Sequence, residues 1–65
     1  MQAHQQRVVD ENVELSVKIV ALGKFIASEK FMSLHVEECR RLVDQIKVMC
    51  LYSDILTSRI RVFKP

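Results

Sequence analysis

The residues best suited to chemistry lie near the two ends of the chain. Positions 55–65 carry Arg59, Arg61 and Lys64 and no acid, and the opening residues carry Arg7 beside His4, Gln5 and Gln6. Arginine suits phosphate because its planar fork donates two parallel hydrogen bonds. A helix N-terminus adds backbone donors to an anion. If the chain doubles back on itself, both segments meet at one electropositive, amide-rich end. That end is a candidate phosphate site; the plainer account of the same charges is complementation of helix dipoles at a chain terminus. Lys18 is a second candidate, set between Val17 and Ile19 in an otherwise apolar stretch. A lysine there either snorkels outward or meets an anion at an interface.

Catalytic and metal chemistry find less support. There is no Gly-rich phosphate loop and no HExxH pattern. His35 and Cys39 are four apart and could share one face of a helix, but a structural zinc takes four ligands, so no metal site is expected. The carboxylates are dispersed among cations, as on a solvated face, so no general acid–base pair and no enzyme are expected. No resident cofactor is expected either. Cys39 and Cys50 lie 11 residues apart, about 16 Å along one helix. A disulfide needs Cα atoms within about 7 Å. Both cysteines are therefore expected to be free thiols at packing positions, in keeping with a reducing compartment.

Composition sets the frame for these candidates. With 65 residues, one Gly and one Pro, the chain allows one domain, 1–65, and lacks the turn residues several strands would need. Half the residues are hydrophobic (49%) against 28% charged, which excludes a disordered chain. A net charge of +2 is too small for a nucleic-acid coat or a polybasic membrane anchor. No recognition-helix pattern stands out, so no DNA partner is expected. The N-terminal residues form no apolar h-region, and no run approaches the roughly 18 apolar residues of a membrane span, so neither a signal peptide nor a membrane partner is expected.

Two helices must position the candidates. Val8, Leu15 and Leu22 recur every seven residues, with Ile19 and Ile26 at the second seam position, which predicts a helix over about 2–28. Leu42, Met49, Leu56 and Phe63 do the same, with Ile46 and Ile60 alongside and Ser53 between them, predicting a helix over about 35–63. Ser33 or His35 starts it, with Glu37 and Glu38 in its first turn. Glu14 and Lys18 are spaced for an i,i+4 pair. Gly23 marks a kink or a close packing point. Residues 29–34 read as a turn whose Phe31, Met32 and Leu34 plug the end of an antiparallel hairpin; one continuous helix is the alternative. Val9, Val13, Val17, Val20 and Ala21, and Val43, Val48, Cys50, Leu51, Ile55 and Val62, lie off these seams. A two-helix unit cannot bury both sets, so self-association or a stable partner is expected.

In order along the chain, His4-Gln5-Gln6-Arg7-Val8-Val9-Asp10-Glu11, Glu14-Leu15, Lys18-Ile19, Leu22 and Phe25-Ile26-Ala27-Ser28 are followed by Phe31, Leu34, Glu38, Leu42, Gln45, Met49, Tyr52, Leu56, Arg59-Ile60 and Phe63. This series resembles the phage anti-CBASS cyclic-oligonucleotide sponges over nearly the whole chain. The resemblance implies an all-α helical hairpin with a short N-terminal helical piece, assembled as a compact oligomer, a hexamer in the family. It implies a non-enzymatic counter-defence protein in the cytoplasm of an infected bacterium. Such a protein holds cyclic di- or trinucleotide immune messengers away from their effector without cleaving them.

The resemblance also implies site residues. Lys18 matches a lysine that contacts the dinucleotide. Arg59 matches an arginine lining the trinucleotide pocket. Ala3 or His4 falls where relatives carry a base-stacking aromatic, and Val20 stands where they carry a small hydroxyl residue. Arg7 and Arg61 join the set as further cations near the ends. The competing expectation from the residues alone is a small coiled-coil adaptor or inhibitor that binds another protein through its spare apolar stripe.

Overall fold

The computed structural model describes residues 1–64; Pro65, expected to end the chain beyond the last helix, lies outside the described residues. Two long helices, α1 (Ala3–Ile26) and α3 (Val36–Arg61), lie antiparallel, joined through a single-turn helix, α2 (Glu29–Met32). Among the described residues there is no strand. The architecture is therefore all-helical and built on a long hairpin.

Side chains and backbone bonds at the connection set these boundaries. The Ala27 and Ser28 amides donate to the carbonyls of Gly23 and Phe25 and close α1. The Ser28 hydroxyl then accepts from the Phe31 amide at 3.4 Å and opens α2, as an N-cap serine does. His35 caps α3: its Nδ1 accepts the Glu37 amide at 3.2 Å, with Glu37 and Glu38 in the first turn.

Three expectations need correction here. The short helical piece expected before the first long helix is not a separate element, because nothing between Gln2 and Ile26 breaks the ladder. The short helix lies instead in the connection, where Ser28 can cap it. The connection 29–34 is correspondingly part helix rather than a plain turn. Of its three apolar residues, Phe31 and Leu34 are half-buried, but Met32 is 81% exposed and plugs nothing. Phe31 packs edge-on against Phe25, ring centroids 6.3 Å apart, which anchors the bend.

The core is thin. Val8, Leu15 and Leu56 are buried, with Ile19, Met49, Ile60 and Phe63 packed around them. These are the heptad positions, so the seam follows the sequence period. Gly23 lies in unbroken helix, and a Cβ there would sit 3.6 Å from Ile46 Cδ1. It marks a packing point rather than a kink.

The hairpin measures 49 × 14 × 13 Å, with a radius of gyration of 14.9 Å. A compact domain of this length would have about 11 Å. Its accessible surface is 5182 Å², where a folded monomer of this mass exposes about 4,300 Å². Large apolar side chains are part of that exposed surface. Val13, Val17 and Val20 on α1, and Val48, Leu51, Ile55 and Val62 near or on α3, all stand more than half exposed.

Candidate functional site

Cross-helix contacts fix which sides of the two helices belong together. Ser53 Oγ donates to Asn12 Oδ1 at 3.1 Å, and Asn12 Nδ2 donates to Thr57 Oγ1 at 3.4 Å. Ile46 stands on the same side, where a Cβ on Gly23 would face it. The seam rows containing Asn12 and Ile19 on α1, and Ile46, Ser53 and Ile60 on α3, therefore face each other along one edge of the hairpin. The remaining seam rows, Val8–Leu15–Leu22 and Met49–Leu56–Phe63, face each other along the other edge.

Residues three further along each helix flank that second edge, because i and i+3 are surface neighbours. On α1 this flanking row is His4, Glu11, Lys18 and Phe25; on α3 it is Gln45, Tyr52 and Arg59. Both rows recur every seven residues and line one groove. Register follows from the same contacts. Asn12 faces Ser53 and Gly23 faces Ile46, so Lys18, midway between, stands level with the turn around residue 50. Tyr52 lies about two to three residues beyond that level, toward Arg59. Arg59 is seven residues further on, about 10 Å along the axis at 1.5 Å per residue. Beside the groove on α3 runs the ridge Val48, Ile55 and Val62, again at seven-residue spacing and exposed.

The candidate residues divide between faces. Lys18, Arg59 and His4 share the groove. Arg7 and Ala3 lie further round α1, exposed on its outer side. Val20 and Arg61 lie on the opposite side of the hairpin, because Arg61 is two positions from Arg59, more than half a turn. All seven are exposed, so none is committed to the core. Within one chain Lys18 and Arg59 are brought to one groove, and Val20 and Arg61 are not. Glu14 and Lys18 form no ion pair among the described residues; the pair that forms is Arg41–Glu38 at 2.8 Å.

The open end of the hairpin does bring the termini together, through a residue whose role the sequence concealed. Gln5 is only 8% exposed. Its Oε1 accepts the Gln2 amide at 2.9 Å, and its Nε2 donates to the Lys64 carbonyl at 3.1 Å. One side chain thus ties the start of α1 to the segment that follows α3. Met1, Gln5, Phe63 and Lys64 line a shallow cleft of about 250 Å³ there. The arginines do not line it. Glutamine at the third helical position is a capping-box signal, but the partner beyond Phe63 could be known only from the fold.

Both cysteines are free thiols; Cys39 is half-buried, its Sγ 3.3 Å from the Phe31 carbonyl, but Cys50 is exposed and does not occupy the packing position expected of it. Among the described residues no group of three or more His, Cys, Asp or Glu is placed to share a metal, and no helix is long and apolar enough to cross a membrane.

Residues 2–62 match the family model described as Sequestin, and the chain belongs to that family. It is 41% identical over 64 residues to a phage T4 protein described as an uncharacterized 7.5 kDa protein in the denB-rIIB intergenic region, a match covering 98% of this chain and 100% of that protein. No solved structure matches the chain. Family membership supports the resemblance drawn from the residues. It favours a binding, sequestering role over a catalytic one.

Proposed function

Starting from membership of the Sequestin family, we propose that this chain is a phage counter-defence protein acting in the cytoplasm of the infected bacterium. It sequesters cyclic di- or trinucleotide immune messengers without cleaving them, and so keeps a CBASS effector inactive. The observation that carries this reading is the groove. Two cations, Lys18 and Arg59, and one acid, Glu11, stand along it beside an apolar ridge that a lone hairpin leaves wet. Copies of the chain that clasp along such ridges place these cations at seams from which water is partly excluded. Charge-assisted bonds to a cyclic phosphodiester are there worth about 1.5–3 kcal/mol each.

The two exposed ridges differ, Val13 with Val20 on one face and Val48 with Ile55 and Val62 on the other. A hairpin with two sticky faces supports closed assemblies larger than a dimer, in keeping with the hexamer that the resemblance implies. Val20 and Arg61, apart from Lys18 within one chain, join the site in this reading from neighbouring copies; Arg7, Ala3 and His4 extend it at the open end.

The test is calorimetric titration of the wild type, Lys18→Ala and Arg59→Ala with cyclic di- and trinucleotides, with assembly size measured in parallel. The expected outcome is binding by the wild type and release of the ligand intact on denaturation. At least one variant should bind more than tenfold more weakly at unchanged size, as loss of one charge-assisted bond predicts. Recovery of cleaved ligand would make the protein an enzyme. Unchanged affinity in both variants would remove the site. A monomer indifferent to every nucleotide would favour an adaptor or inhibitor that uses the same ridges on another protein.

A further inference from the structure

We propose that Tyr52 is the nucleobase-stacking platform of the groove, set on α3 opposite Lys18; the inference rests on the reading that the chain binds cyclic oligonucleotides. Phosphate contacts alone do not hold a nucleotide by its base. Proteins that bind unpaired bases supplement their cations with an aromatic face, because every base presents a π-surface. The chain has four aromatic side chains, three Phe and one Tyr, and no Trp. Phe25 and Phe31 are spent on each other at the bend, in edge-on contact. Phe63 packs against the core cluster. Tyr52 alone is exposed, at 41%.

Its position gives that exposure a use. Tyr52 occupies the same flanking row as Arg59, one heptad before it, and lies across the groove from Lys18, displaced toward Arg59. Counted from the Asn12–Ser53 hydrogen bond the two lie about 8 Å apart along the axis, and counted from the Gly23–Ile46 approach about 2 Å, at 1.5 Å per residue. The groove therefore offers, in order along its length, a ring and an ammonium facing each other, then the Glu11 carboxylate on the α1 side, then a guanidinium about 10 Å from the ring. The ring and the two cations match a ligand in which a base adjoins a phosphodiester and a second phosphodiester follows across a ring. A tyrosine on a helix also loses little freedom on binding, since only two side-chain torsions are fixed.

Because Tyr52 is the single tyrosine in a chain without tryptophan, the tyrosine emission of the whole protein reports on this one ring. Wild type, Tyr52→Phe and Tyr52→Leu are titrated with cyclic di-AMP, cyclic GMP–AMP and cyclic tri-AMP, followed by calorimetry and by emission, with assembly size measured for each. Leucine keeps the apolar bulk and removes the π-face. The expected result is saturable quenching of the wild-type emission, tracking the calorimetric isotherm. Tyr52→Phe should bind within about threefold of wild type. Tyr52→Leu should bind about 5- to 150-fold more weakly, the equivalent of one lost stack, at wild-type size. Wild-type binding with unchanged emission, or undiminished affinity in Tyr52→Leu, overturns the assignment and leaves the nucleotide reading standing. Calorimetry that detects no binding to the wild type, a measurement that does not involve the ring, overturns both. If Tyr52→Leu fails to assemble, the wild-type emission alone decides.

Discussion

Ile55 and Leu56 are consecutive residues of similar size with opposite fates, and truncating each to alanine separates what holds one hairpin together from what holds copies together. Leu56 is fully buried in the seam, at 0% exposure, whereas Ile55 is 59% exposed. Leu56→Ala removes three buried carbons and leaves a cavity between the helices. The expected cost is about 2–5 kcal/mol in any state of assembly. Ile55→Ala leaves no cavity in a lone hairpin. Complete burial of such a side chain is worth about 1.5–3 kcal/mol. With more than half of Ile55 still wet, assembly along its ridge has about 1–2 kcal/mol per copy left to gain from it.

The assay is urea denaturation over a hundredfold range of protein concentration, with sedimentation to follow size. For the wild type the midpoint should rise with concentration, as it must when folding and association are linked. Ile55→Ala should match the wild type in the dilute limit and fall progressively below it as concentration rises. Leu56→Ala should fall below it throughout. An Ile55→Ala protein that equals the wild type at every concentration would refute the reasoning, since the ridge would then be a solvated surface.

Two further substitutions test the hairpin itself. Gly23→Ala should stabilise it by up to about 1 kcal/mol, read as a higher thermal midpoint, because alanine is the better helix former and its Cβ meets Ile46 Cδ1 at an ordinary 3.6 Å; a loss of stability would mean that the two helices approach more closely than this geometry. Gln5→Ala deprives the Gln2 amide and the Lys64 carbonyl of their shared partner and should cost about 1–2 kcal/mol, with faster amide exchange confined to residues near both ends; exchange unchanged at Phe63 and Lys64 would show that the clasp does not tie the termini.

The seven-residue recurrences carried most of the fold. Val8, Leu15 and Leu56, named as seam positions from spacing alone, are the buried core. His35, one of two expected starts, caps α3. Where expectation and structure part, the difference is local and depends on few atoms. Ser28 can end one helix and begin another, so a stretch that reads as a turn contains a helix. Met32, apolar by type, has nothing within reach to cover it. Gln5 differs from its neighbouring glutamines in lying seven residues before Asn12, in the seam row that continues through Ile19 and Ile26, and at the capping-box position; the distant carbonyl that it meets is not written in the sequence.

The sequence by itself determined that the chain forms two amphipathic helices with more apolar surface than they can hide from water, and that its spare cations lie in particular seven-residue rows. That much is written in periodicity, because the pitch of a helix converts spacing into a face. Which row of one helix shares a groove with which row of the other was decided only by tertiary structure. Rotating either helix about its axis leaves every local preference unchanged. The Asn12–Ser53 hydrogen bond and the Gly23–Ile46 approach remove that freedom, and they set Lys18, Tyr52 and Arg59 along one groove.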